Sequence, residues 1–282
     1  MKIFELNNKQ TIPAVGFGVF MIPNDGPTYD ATLAALKAGY RHIDTAAGYM
    51  NESDVGKAIK DSGIDRKEIF ITSKLWLQDY GYENAKKGIE TSLKLLGVDY
   101  IDLYLLHQPY GDYLGAWKAL EEAYQEGKIK SIGISNITVN LWNKFKNGMT
   151  VIPAVNQVEF NPFVQQKELR KVMAENNIRL EAWYPLGHGN SDMLQEPVFV
   201  ELAEKYHKST VQIILRWHIQ MGFGLVPGSK SMDHIKDNAN IFDFELTGEE
   251  MKQIETINKH EPFYHVTEES LHRMATTKCN FE

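Results

Sequence analysis

Short apolar runs alternate with longer stretches of helical period along the whole chain. Runs at residues 14–18, 42–44, 70–75, 101–107, 131–135, 154–159, 179–183 and 224–227 read as strands. Between them, residues 28–38, 51–62, 82–96, 114–126, 166–176 and 210–221 carry the spacing of amphipathic crossover helices. Gly39, just past the first helix, suits a left-handed C-cap. Eight strands alternating with helices predict an α/β fold, a (β/α)8 TIM barrel. Residues 2–6 and 10–12, split by Asn7-Asn8-Lys9, predict a hairpin that closes the bottom of the barrel. From His260 onward the period is lost, which leaves a C-terminal tail either covering the barrel mouth or hanging free. No linker or shift in composition divides the chain, so residues 1–282 are expected to form one domain.

Composition narrows the function more than the fold. A chain that is 43% hydrophobic and 24% charged can bury a full core, which excludes disorder as its main state. Thirty Lys+Arg against 37 Asp+Glu give −7 with no basic run, which argues against a nucleic-acid partner. The only cysteine is Cys279, so an intrachain disulfide or a cysteine-built metal cluster is excluded and a reducing compartment fits. Glu5 interrupts the apolar stretch that a secretory signal needs at the N-terminus. The most apolar long window, residues 211–226, contains Gln212, Arg216, His218 and Gln220 and is too polar to span a membrane. A cytoplasmic protein with no membrane partner is therefore expected, and the sequons at Asn51 and Asn136 carry no weight.

The pair Gly16-Phe17-Gly18 follows a strand, but position 21 is Met21, so the dinucleotide fingerprint of a Rossmann fold fails. Phosphate-loop, H-E-x-x-H and G-x-S-x-G patterns are missing as well. What stands out is the set of reactive side chains at strand ends, where a barrel gathers its pocket. Asp44 ends the second strand, Tyr49 follows in the next loop, Lys74 ends the third and His107 the fourth. Each alone has a structural explanation, as a cap, a packed ring, a solvated amine or a core imidazole. An acid, a phenol, an amine and an imidazole on neighbouring strand ends point together to proton-transfer chemistry.

The segments Gly16-Phe17-Gly18, His42-Ile43-Asp44-Thr45-Ala46-Ala47-Gly48-Tyr49, Ser73-Lys74-Leu75-Trp76 and Leu106-His107-Gln108-Pro109 resemble aldo-keto reductase motifs. The resemblance continues through Gly133-Ile134-Ser135-Asn136, Asn156-Gln157-Val158-Glu159, Ala182-Trp183-Tyr184-Pro185-Leu186-Gly187 and Ile241-Phe242-Asp243-Phe244-Glu245-Leu246, as far as about Phe263. Short loops after the fourth and seventh strands are similar to those of the bacterial diketogulonate reductase type. The resemblance implies an NADPH-dependent reductase of small aldehydes and ketones, working as a monomer without a metal. Tyr49 is then the proton donor, Lys74 the cation expected to lower its pKa, Asp44 the anion holding that cation, and His107 the donor that orients the carbonyl.

The same resemblance places Ser135, Asn136 and Gln157 on the nicotinamide carboxamide, with Trp183 stacked on its ring. Val19, Phe20 and Met21 pass beside the cofactor through their backbone, and Asp44, Leu186 and Ser231 complete the contacts. Phe20, Tyr49, Trp76 and His107 line the substrate side. At the adenosine end many relatives carry lysine at the position of Gly228 and arginine at that of His234, and both cations are missing here. Ser229, Lys230, His234 and Asn238 remain, which implies NADPH with a weakened preference over NADH. Two other readings share these features: an imine-forming lysine aldolase, and a redox-sensing nicotinamide-binding barrel with slow turnover.

Overall fold

A computed structural model of the chain describes residues 2–280. Ten strands are present: β1 (Ile3–Glu5), β2 (Thr11–Pro13), β3 (Phe17–Gly18), β4 (His42–Asp44), β5 (Phe70–Leu75), β6 (Leu103–Leu106), β7 (Ile132–Ser135), β8 (Val155–Glu159), β9 (Arg179–Trp183) and β10 (Gly224–Leu225). β3 to β10 pair in sequence order, all parallel. The ring closes where Val15 bridges Leu225, with Gly16 N donating to Leu225 O at 2.8 Å and Leu225 N to Ala14 O at 3.0 Å. This is the expected (β/α)8 barrel. The first and last strands are shorter than the apolar runs predict. At the seam, Ala14 O and Gly16 N bond Leu225 while Ala14 N donates to Lys2 O at 2.9 Å, and the ladder stops before Pro227, which has no N–H.

The helices are α1 (Pro27–Lys37), α2 (Glu52–Asp61), α3 (Tyr82–Leu96), α4 (Tyr113–Gln125), α5 (Val139–Phe145), α6 (Lys167–Glu175), α7 (Ser191–Leu194), α8 (Pro197–Tyr206), α9 (Thr210–Gln220), α10 (Met232–Ala239), α11 (Gly248–Glu255) and α12 (Glu268–Thr276). The six predicted crossover helices lie within about a residue of their expected bounds. Gly39 indeed has φ +98°. α5, α7, α8, α11 and α12 were not anticipated, although Thr247 with Glu250 and Thr267 with Ser270 form capping boxes that open α11 and α12.

β1 and β2 pair antiparallel, with Ile3 opposite Pro13. The hairpin sits under the N-terminal ends of the strands. Asn7 Nδ2 donates to Pro153 O at 2.9 Å, Asn8 Nδ2 to Lys130 O at 2.9 Å, and the Arg179 guanidinium to Glu5 O at 3.3 Å. The tail caps the opposite end. Phe263 N and Tyr264 N donate to the Glu159 carboxylate at 2.8 and 3.1 Å, the Tyr110 hydroxyl meets His272 Nδ1 at 3.1 Å, and Cys279 N donates to Gln78 Oε1 at 2.7 Å. It therefore covers the mouth rather than hanging free. Every residue of β4 to β8 is buried, as parallel strands covered on both faces must be. Polar residues inside them, such as His42, Asp44, Lys74 and Gln157, carry a desolvation cost and need partners. Among the described residues no helix is long and apolar enough to cross a membrane.

Candidate active site

The strand ends bring the four polar residues singled out in the sequence to one place. β4 delivers Asp44, and the single turn Ala47–Tyr49 lifts the phenol over β5. Gly48 is required there: a Cβ would lie 2.6 Å from the Trp76 ring. Lys74 Nζ donates to Asp44 Oδ1 at 2.6 Å, to Thr45 O at 2.9 Å and to the Tyr49 hydroxyl at 3.4 Å, which uses all three of its N–H groups. Lys74 is only 1% exposed. His107, just past β6, stands edge-on to both Tyr49 and Trp76, with ring centroids 5.5 and 5.0 Å apart. Its Nδ1 is buried without a hydrogen-bond partner.

Burial sets the protonation states. It pushes the Lys74 ammonium down, but Asp44 and Tyr49 outweigh it and hold the pKa above the usual lysine value. For Tyr49, burial pushes the phenol up and Lys74 pulls it down, with a net rise. This corrects the expectation of a lowered phenol: the cation acts in the expected direction but desolvation wins. His107 is held well below the ordinary imidazole range, first by burial and then by Lys74, so its ring is neutral near pH 7.

On the far side of Asp44, Gln157 Nε2 donates to Asp44 Oδ2 and to Glu181 Oε2, both at 2.7 Å. Ser135 Oγ donates to Gln157 O at 2.8 Å, and Asn136 Nδ2 to His107 O at 3.3 Å. Trp183 Nε1 donates to Asn136 Oδ1 at 2.9 Å, and Tyr184 and Tyr264 stand edge-on beside its ring. Asn136, Tyr184 and Met21, at three strand exits, hold left-handed φ values of 60°, 51° and 60°. Such strained backbone clusters at functional clefts.

These side chains surround a cleft of about 680 Å³ that runs from Asp44, Tyr49 and His107 at its floor to Ser229 and Lys230 at its rim. Phe20, Met21, Trp76, Ser135, Asn136, Gln157, Trp183 and Leu186 also line it. Five residues named from the sequence do not, among them Lys74, which is buried and bonded to Asp44 and Tyr49. Val19 is fully buried, Ser231 accepts from His234 N as the cap of α10, His234 is exposed on that helix, and Asn238 is buried within it. Gly228 lies against β3, where a Cβ would come within 2.4 Å of Gly18 O, so this chain has no room for a lysine at 228 without moving backbone. Sequence reasoning missed Gln108, Tyr184, His188, Tyr264 and Met274 in the lining. Gln108 and Tyr184 each adjoin a residue that was named, whereas Tyr264 and Met274 lie in the tail, which has no period to read.

A long cleft with amide and hydroxyl groups around one aromatic face and a basic rim could hold a nicotinamide dinucleotide, with Ser135, Asn136, Gln157 and Trp183 at one end and Ser229 and Lys230 at the other. Comparison with known proteins gives the family. The family model described as "Aldo/keto reductase family" matches residues 15–259. A glyoxal reductase from Bacillus subtilis is 46% identical, covering 91% of this chain and 93% of the relative, and the methylglyoxal reductase DkgA of Escherichia coli is 37% identical, covering 91% and 94%. An aldo-keto reductase from a deep-sea metagenome library superposes with a TM-score of 0.90 at 42% identity, covering 94% of this chain and 97% of that one. A Bombyx mori aldo-keto reductase in complex with NADP does so at 0.88 and 34%, covering 94% and 95%. With the barrel, the buried Asp44–Lys74–Tyr49 set and a match over most of its length, the chain belongs to the aldo/keto reductase family of nicotinamide-dependent oxidoreductases.

Proposed function

We propose that this protein is a cytoplasmic, monomeric reductase that uses NADPH to convert small neutral aldehydes and ketones to alcohols, with Tyr49 as proton donor. One observation carries the reading: a buried phenol, hydrogen-bonded by a lysine that an aspartate holds in place, at the floor of an open cleft. Bound NADPH supplies the hydride; the protein supplies the proton and the alignment. Burial keeps Tyr49 protonated before reaction, and Lys74 stabilises the phenolate left after it gives up that proton. The neutral His107 has one N–H, and with that proton on the nitrogen facing the cleft it orients the carbonyl oxygen toward Tyr49.

Phe20, Trp76, Tyr184 and Met274 make the substrate side apolar. Lys74 has no donor left for a substrate carboxylate, so neutral carbonyls are favoured over keto acids, in line with the glyoxal and methylglyoxal named for the two relatives. A lysine committed to a buried ion pair and held charged is also a poor imine-forming nucleophile, which counts against an aldolase. At the rim, Lys230 and Ser229 favour the extra phosphate of NADPH, less strongly than two further cations would.

The test is oxidation of NADPH against glyoxal, methylglyoxal, simple aldehydes, keto sugars and α-keto acids. Small neutral carbonyls should turn over fastest and α-keto acids slowest. Tight NADPH binding without turnover of any of them would overturn the reductase reading in favour of a slow sensor.

A further inference from the structure

Glu181 is a buried carboxylate with no assigned role, 1% exposed in β9, two residues before Trp183. Across the barrel stands His42, whose Nδ1 lies 3.9 Å from Oε1, and among the described residues that Oε1 has no hydrogen-bond partner. Burial holds His42 down to about 4, so it offers no counter-charge near neutrality. The one hydrogen bond that Glu181 accepts is from Gln157. The two residues face each other in register across β8 and β9.

A glutamine amide has two N–H groups, and those of Gln157 are both spent, one on Asp44 and one on Glu181. Rotating the amide by half a turn would set its oxygen against the Asp44 carboxylate at 2.7 Å, a contact without a proton between the partners, and would leave Glu181 without the N–H it accepts. Oε1 is thereby turned away from both acids, and Gln157 lines the cleft. Asp44 takes one N–H of the amide and Glu181 the other, so neither donor is left to turn the group out of line.

We infer that Glu181 is a positioning residue, which with Asp44 fixes the amide of Gln157 so that its oxygen accepts an N–H from the carboxamide of the nicotinamide cofactor. This rests on the proposed role of Gln157 in cofactor binding. It gives the enzyme a way to select for the amide itself, since a cofactor with a methyl ketone at that place has no N–H to offer. Glu181 touches neither substrate nor cofactor.

The experiment compares dissociation constants, measured by tryptophan fluorescence quenching, for NADPH and for its 3-acetylpyridine analogue. Wild-type protein should favour NADPH, and Glu181→Met should lose that advantage by about tenfold, the value of one hydrogen bond, through weaker NADPH binding alone. Glu181→Gln keeps an acceptor oxygen and should keep the preference. Equal loss for both cofactors in Glu181→Met, or loss of the preference in Glu181→Gln, overturns the inference. Gln157→Leu separates the two levels. If it leaves the preference intact, the role of Gln157 itself fails; if it abolishes the preference while Glu181→Met does not, only the role of Glu181 fails. A check that needs no variant is NMR of the Gln157 side-chain amide in cofactor-free protein: slow exchange of both protons is expected, and fast exchange contradicts a pinned amide.

Discussion

The floor and the rim of the cleft are built in opposite ways. At the floor, Asp44, Lys74 and Gln157 project from β4, β5 and β8, are almost fully buried, and are tied to one another by bonds of 2.6 to 2.7 Å. At the rim, Lys230 is exposed and Ser229 half-buried on the loop ahead of α10, and among the described residues Ser229 Oγ is engaged only by Ser231 N at 3.1 Å. Low dielectric makes each floor charge strong and leaves it no alternative partner, whereas solvent weakens the rim and lets it rearrange. On the proposed function, chemistry is thus placed where the backbone fixes it, and cofactor choice where a few exposed side chains can change it cheaply.

If that contrast is right, perturbing the floor costs both activity and stability. Lys74→Met removes the cation and strands Asp44 in the interior. Breaking a buried pair in this way costs about 3–5 kcal/mol. Loss of the stabilised phenolate should lower kcat/KM by about 10²–10⁴-fold. Stopped-flow NADPH oxidation and urea denaturation would measure the two, and a stable variant with more than about a tenth of wild-type activity would break the comparison.

At the rim the effect is smaller and selective. Lys230→Ala should lower kcat/KM about tenfold for NADPH, the size of one lost charge-assisted hydrogen bond, and barely for NADH. Equal losses with both cofactors would show that Lys230 does not read the phosphate.

The tail lies between these extremes, being held to the floor's outer edge by Glu159. Glu159→Ala removes the acceptor for Phe263 N and Tyr264 N, so residues 260–280 should become open to limited proteolysis while NADPH affinity stays within about threefold of wild type. A tail that remains resistant would mean that Tyr110 and Gln78 suffice to hold it.

The smallest effect on catalysis is expected at Glu52, buried behind the floor between Ser73 and Ser92. Burial pushes its carboxyl up to about 7, so folding takes up a proton there. The stability it contributes is full below its ordinary pKa near 4.5 and is lost as pH rises through 7. Glu52→Gln should therefore flatten the fall in stability between pH 5 and 8, by an amount on the order of 3 kcal/mol, without much change in kcat. The slope should not vanish, because Glu181 is pushed up to about 8 by burial and Asp44 and contributes in the same sense. A parallel pH–stability curve in the variant would exclude Glu52 as its source.

The barrel was legible because eight strands buried on both faces give apolar runs that the crossover helices interrupt with a different period. Asp44, Lys74 and His107 were legible for the same reason, since a polar residue closing an apolar strand is conspicuous, and Tyr49 follows Asp44 in the next loop. The partners behind them were not. Glu181 sits within the strand Arg179–Trp183 and reads as an outward-facing acid until the register with Gln157 shows it inside. The direction of the Tyr49 shift was missed because sequence names the cation but not the depth of burial. Contacts made by the tail depend on where an aperiodic segment folds back, which no local pattern encodes; likewise Ser231 caps α10 and Asn238 is buried in it, outside the cleft lining.

The central claim, that Tyr49 gives the proton, is tested most directly by measuring turnover and cofactor binding on the same Tyr49→Phe protein. The substitution deletes one hydroxyl from a ring held between Phe20 and His107 and leaves the packing in place. Reduction of the best carbonyl substrate should fall by at least about 10²–10⁴-fold while the NADPH dissociation constant changes less than about threefold. Retention of more than about a tenth of wild-type kcat/KM, with NADPH bound as tightly as before, would contradict the assignment of Tyr49 as the acid.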